Sequence, residues 1–210
     1  MESSSTEARS RPIAAAVVLA LLLSLYAGTA FAGPPTEQVR GAIDRVIGIL
    51  NRPDLMSAEK REARRELLRA EIRPVFDFRE MAKRSLGVHW RGRTAEEKER
   101  FVTLFTELLE NSYLGKIESY KGEKIRYVKE SLDPPYAVVN TMIVTSKEVE
   151  IPLDYRLLQE GDRWRIYDVV IEGISLVNNY RSQFGSILQR SSFDELVGKL
   201  RSTLKESRGS

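Results

Sequence analysis

The apolar positions along this chain recur every three to four residues, then every two, then every three to four again. The first regime predicts helices. Thr36 sits where a cap belongs, ahead of a helix to about Leu50 with Val39, Ile43, Val46, Ile47 and Leu50 on one face. After the break at Asn51-Arg52-Pro53-Asp54, a second helix runs from about Ser57 to Arg73 and stops before Pro74. Its apolar face is thin, which places it on the surface. Asp77 and Glu80 have the spacing of a capping box for a short helix ending near Gly87. Thr94 and Glu97 repeat that spacing before the longest helix, which reaches about Tyr120. Phe101, Leu104, Phe105, Leu108, Leu109 and Ser112 form a wide stripe along it.

The period then becomes two. Lys124–Leu132, Tyr136–Thr145, Val149–Leu158 and Arg163–Val170 read as four sequential strands. The short turns between them make neighbours antiparallel, so the sheet is a meander. Val149, Ile151, Leu153, Tyr155 and Leu157 alternate with Glu150, Pro152, Asp154 and Arg156, giving one apolar and one wet face. Pro152 lacks a ladder donor and suggests an edge or a bulge. Tyr136–Val144 is apolar on both faces and reads as covered on both. Two helices, about Ser175–Gln189 and Ser192–Lys205, close the chain, the second with a Ser192/Glu195 box. Helices, then an antiparallel sheet, then helices give an α+β domain.

Residues 1–32 read as a secretory signal peptide, with 33–210 as the domain. Arg9 and Arg11 precede a 15-residue apolar run, Ile13 to Ala27, and Ala30-Phe31-Ala32 offers small-x-small cleavage. The run is short for a membrane span of about 20 residues. The chain has no cysteine, hence no disulfide framework, and one histidine, His89. Net charge is +3 against 33 basic and 30 acidic residues, a balance that does not point to nucleic acid. Phosphate-loop, dinucleotide, zinc-protease and nucleophile-elbow motifs are absent from the sequence.

Trp164 to Phe184, WRIYDVVIEGISLVNNYRSQF, crosses from strand to helix at Glu172-Gly173. It resembles the C-terminal signature of the MlaC-type periplasmic phospholipid carriers, also called toluene-tolerance proteins: Trp and Tyr-Asp-Val on a strand, Gly and Ser-Leu at a corner, then Asn-Tyr-Arg and Phe. FDFREMAKRSLGVHWRGRT from Phe76 and EEKERFVTLFTELLENSYLGKI from Glu96 are similar to that family as well. The resemblance implies a four-stranded curved sheet wrapped by about six helices around an apolar cavity. It implies a phospholipid ligand, no cofactor and no catalysis. It also implies a monomer docking with an inner-membrane ABC transporter complex and an outer-membrane lipoprotein–porin complex.

The expected cavity lining is Val75, Phe76, Met81, Leu86, Phe101, Leu104, Phe105, Leu108, Leu109 and Tyr113 from helices. Val138, Met142, Val149, Ile151, Leu153 and Tyr155 are expected from strands. Periodicity alone favours an ordinary filled core, as in a ligand-free adaptor; the family resemblance is what points to a cavity. Trp164, Tyr167, Asp168, Asn179, Tyr180 and Arg181 read as a polar network at the strand-to-helix corner, with Asp168 paired to a donor such as Arg181. The alternative use of these residues is a headgroup clamp through Arg181, or acid–base chemistry by Asp168 with Tyr167 and Tyr155. Arg91, Arg93, Lys116, Lys121 and Lys124 are a candidate basic collar or plain solvated charge. His89 reads as a loop residue with no catalytic partner.

Overall fold

The computed structural model describes residues 33–208; the leader read over residues 1–32 lies outside the described residues. Pro34 and Pro35 occupy the first turn of α1 (Pro34–Leu50), where a missing N–H is no loss. The helix therefore starts before Thr36. That residue does not cap it; its N–H and hydroxyl donate to Glu130 at 2.9 and 2.6 Å, tying α1 to the first strand. Two short 3₁₀ turns lead to α2 (Arg61–Ile72), whose only buried residue is Leu68.

Asp77 accepts from the Glu80 N–H at 2.9 Å and starts α3 (Phe78–Leu86). The Glu80 carboxylate turns instead to Lys83 and Arg84, so only half of the expected box forms. The box at Thr94 and Glu97 is complete and opens α4 (Ala95–Glu118). β1 (Lys124–Asp133), β2 (Tyr136–Val144), β3 (Glu150–Glu160) and β4 (Arg163–Ile171) pair in sequence order, all antiparallel. A fifth strand, β5 (Ile174–Ser175), corrects the expected count of four. It folds back on β4 through Glu172-Gly173, both with positive φ, the geometry a two-residue hairpin turn requires. Two residues are too few for a period of two to register. Ser175 then caps α5 (Leu176–Leu188), and Ser192 caps α6 (Phe193–Arg208) by accepting the Glu195 N–H.

Pro152 lies in an inner strand, not at an edge. It sits one residue beyond the last β3–β4 pair, Leu153 with Ile171, where no ladder donor is missed. Ala137, Val139 and Thr141 of β2 are buried on the inner face. Val138, Met142 and Val144 stay half-buried on the outer one, which corrects the reading of a strand covered on both sides.

Burial separates into two clusters. One packs α3, the first half of α4, α5 and α6 around Phe101, Phe105, Phe184 and Phe193. The other packs α1 and Val75 onto the inner sheet face around Val139, Leu157, Trp164 and Ile166. An empty volume lies between α1, the inner sheet face and the second half of α4.

Candidate functional site

The empty volume is a cavity of about 510 Å³, within the range typical of small-molecule sites. α1 supplies Val39, Ala42, Ile43, Val46, Ile47 and Leu50, a stripe at helical spacing. α4 supplies Leu109, Tyr113, Leu114 and Ile117 from its second half. The sheet supplies Ile125, Ile143, Ile151, Leu153, Tyr155, Ile166, Val169 and Ile171, and Val75, Phe76, Phe78 and Met81 close one side. Polar groups gather at one end: Lys116, Ser119, Glu123 and Thr145. Ile47, Leu50, Ile117, Ile143 and Ile151 around them retain partial exposure, whereas Val39, Val75, Met81 and Ile166 at the other end are buried. The cavity thus has a polar-edged mouth and, apart from the paired Arg69 and Glu110 in its wall, an apolar interior.

Besides Glu123 at the mouth, one carboxylate lies in the wall. Glu110 accepts from Arg73 at 2.7 and 3.0 Å and lies 3.4 Å from Arg69. Eight residues on, Glu118 accepts from Arg64 at 2.8 Å and Arg65 at 2.9 Å. Burial would raise the Glu118 carboxyl, but the guanidinia of Arg65 and Arg64 outweigh it and hold it below its usual value. These ion pairs, together with Leu68, fasten α2 to α4 beside the cavity. Tyr155 is enclosed by protein, and burial pushes its hydroxyl far above its usual range, with Tyr127 adding to the effect. It nonetheless retains accessible surface, because that surface faces the cavity.

Eight of the sixteen expected lining residues stand on the cavity wall: Val75, Phe76, Met81, Leu109, Tyr113, Ile151, Leu153 and Tyr155. Leu86, Phe101, Leu104, Phe105 and Leu108 do not. They pack in the other cluster, where the Phe105 ring lies 5.2 Å from Tyr180 and the Phe101 ring 5.6 Å from Phe184. A 24-residue helix is about 36 Å long, so one stripe serves two neighbours in turn. Val138 and Met142 point to the outer face; Val139 and Ile143 hold the inner positions, the one-residue reversal to which a two-sided apolar strand is prone. Val149 precedes β3 and is 53% exposed. The α1 stripe was legible as a helix face, yet nothing in its period says that it faces a void.

At the corner, Asp168 is 2% exposed and points away from the cavity. Its carboxylate accepts the Ser175 hydroxyl at 2.6 Å and the Val177 N–H at 3.0 Å, at the start of α5, where the helix dipole favours it. Its cation is Arg156 at 3.2 Å, not Arg181. Arg156 sits opposite Asp168 on β3, whereas Arg181 lies a turn and a half along α5 and donates to the Arg84 carbonyl at 2.8 Å. Trp164 is buried, and its backbone N–H donates to the Gln38 side-chain oxygen of α1 at 2.9 Å. Tyr167 lies under Arg84, and Tyr180 is packed in the aromatic cluster, so burial raises both hydroxyls. Asn179 is exposed and bonded to Gln183. The candidate basic collar is dispersed. Lys116 sits at the mouth, Arg93 pairs with Glu97 at 3.4 Å, and Arg91 lines a separate basic cleft beside His89. Among the described residues no group of acidic or histidine side chains could hold a metal ion, and no helix is long and apolar enough to cross a membrane.

The model of the family described as MlaC protein matches residues 40–202. The intermembrane phospholipid transport system binding protein MlaC of Haemophilus influenzae is 24% identical over 147 residues, covering 68% of this chain and 69% of its own. Toluene tolerance protein ttg2D of Pseudomonas putida is 25% identical over 179 residues, covering 84% and 83%. Among solved structures, a phospholipid-binding protein from Ralstonia solanacearum, in complex with a phospholipid, superposes with a TM-score of 0.73. It is 25% identical, and the match covers 84% of this chain and 99% of that one.

Proposed function

Since the chain belongs to the MlaC family, we propose that it is a periplasmic carrier that moves phospholipid between the outer and inner membranes. The observation that carries this reading is the apolar cavity of about 510 Å³, open at a polar-edged mouth and walled by α1, α4 and the sheet. A diacyl lipid has roughly 30 methylenes, each worth about 0.8 kcal/mol on leaving water. Its transfer from a bilayer into water therefore costs on the order of 20 kcal/mol, and unassisted crossing is negligible. An apolar cavity offsets that cost. Acyl chains carry no hydrogen-bonding groups, so an apolar wall grips them with little selectivity, while Lys116, Ser119 and Thr145 at the mouth suit a phosphate-bearing headgroup.

The leader read over residues 1–32 supports export, and 33–210 is the carrier domain. The docking partners are an inner-membrane ABC transporter complex and an outer-membrane lipoprotein associated with a porin. The carrier works as a monomer without a cofactor. A catalytic reading would need the Asp168 carboxylate free in the cavity; it is instead engaged by Ser175, Val177 and Arg156 inside the wall. Native mass spectrometry of the protein purified from growing cells tests the proposal. Co-purified phospholipid at one molecule per chain is expected, and a uniformly lipid-free protein would overturn it.

A further inference from the structure

Tyr155 is the last residue of β3 to line the cavity, after Ile151 and Leu153; Leu157, the next on that face, is fully buried and outside the cavity wall. Its cross-strand neighbours are Val139 and Val169, both buried. The hydroxyl therefore stands at the closed end, remote from the polar mouth. It makes no hydrogen bond to any described residue. Phenylalanine would fill the same space without an oxygen. The hydroxyl opens on the cavity, so its partner comes from whatever occupies that space. Among the strand residues that line the cavity Tyr155 carries the one hydroxyl; the others are isoleucine, leucine and valine.

We infer that the Tyr155 hydroxyl is a hydrogen-bonding subsite for an oxygen carried on the part of the cargo that enters the cavity. The protein then prefers a lipid with a hydroxylated acyl chain over its plain-chain counterpart. This rests on the reading of the cavity as the cargo site. Burial keeps the phenol protonated through the whole physiological range, so it acts as donor and acceptor and not as a charge. Tyr127 supplies an internal control. It lies on the same sheet face, one strand beyond β2, and its hydroxyl is buried without a partner, but it does not line the cavity.

The test offers delipidated protein an equimolar mixture of palmitic acid and its monohydroxy isomers, substituted near the carboxyl, at mid-chain and at the terminal carbon. Retention is read by native mass spectrometry. The wild type is expected to retain a mid-chain or terminal isomer about two- to tenfold over palmitate, the range one net hydrogen bond gives. Tyr155→Phe should abolish that preference while keeping palmitate, and Tyr127→Phe should leave the preference intact. Retention of palmitate with no isomer preferred would overturn the inference and leave the carrier reading standing. So would a preference that survives Tyr155→Phe, or one lost equally in Tyr127→Phe. Retention of no probe by the wild type would overturn the carrier reading and the subsite with it.

Discussion

The Arg156 guanidinium lies 3.2 Å from the Asp168 carboxylate across the β3–β4 pair, and the same carboxylate receives the Ser175 hydroxyl at 2.6 Å. Strand, hairpin turn and helix start are thus pinned to one acid. Asp168→Ala leaves the Val177 N–H and the Ser175 hydroxyl without their acceptor. The expected loss is about 1.5–3 kcal/mol in urea unfolding. Lipid content of the folded fraction should not change, since the carboxylate does not line the cavity. Lost lipid at unchanged stability would place Asp168 in the binding site.

Glu118 and Glu110 hold α2 against α4 through Arg64, Arg65, Arg69 and Arg73. Because the Glu118 carboxyl is held below its usual value, its contribution is present above the unfolded value of about 4.3 and is lost as pH falls through the folded one. Glu118→Gln should remove about 1.5–3 kcal/mol at neutral pH and flatten the acid limb of the stability profile. Amide exchange should rise across residues 61–72 and stay unchanged in α5. Uniform exchange changes across the chain would contradict a local clamp.

Tyr127 is pushed up to about 12, chiefly by burial, with the Arg40 guanidinium above its ring opposing the shift. A folded value above the unfolded value of about 10 means that its contribution is complete below pH 10 and lost between about 10 and 12. Tyr127→Phe should therefore shallow the fall of stability in that window. An alkaline limb of the same slope in both proteins would contradict the assignment.

Substituting Trp at two positions separates the cavity from the closed core. Ala42 faces the empty volume, so Ala42→Trp should fill it, displacing lipid with little loss of stability. Leu108 packs in the aromatic cluster, where Leu108→Trp overpacks and should cost about 1–3 kcal/mol while lipid remains. Native mass spectrometry and thermal melts read both. The reverse pattern would exchange the roles of the two regions.

The strand residues Ile151, Leu153 and Tyr155 were legible because polar neighbours mark the other face of β3. No such contrast exists in β2, where Val138 and Val139 are chemically alike and only the register with β1 and β3 chooses between them. The stripe of α4 was also legible, but a continuous apolar face does not record where one neighbour ends and the next begins. Phe101 and Phe105 belong to the closed cluster, and Leu109 and Tyr113 to the cavity. The α1 stripe is an ordinary amphipathic pattern. Volume left empty is a property of three elements held apart, and no single element encodes it.

The central claim is that phospholipid occupies the cavity between α1 and the inner sheet face. A photo-crosslinking side chain placed singly at Val46, Ile151, Leu108 or Val138, in protein made in growing cells, tests this most directly. Val46 and Ile151 line the cavity, Leu108 lies in the closed cluster and Val138 on the outer sheet face. The account predicts phospholipid captured at Val46 and Ile151 and none at Leu108 or Val138. Capture at Leu108 or Val138 with none at Ile151 would contradict it.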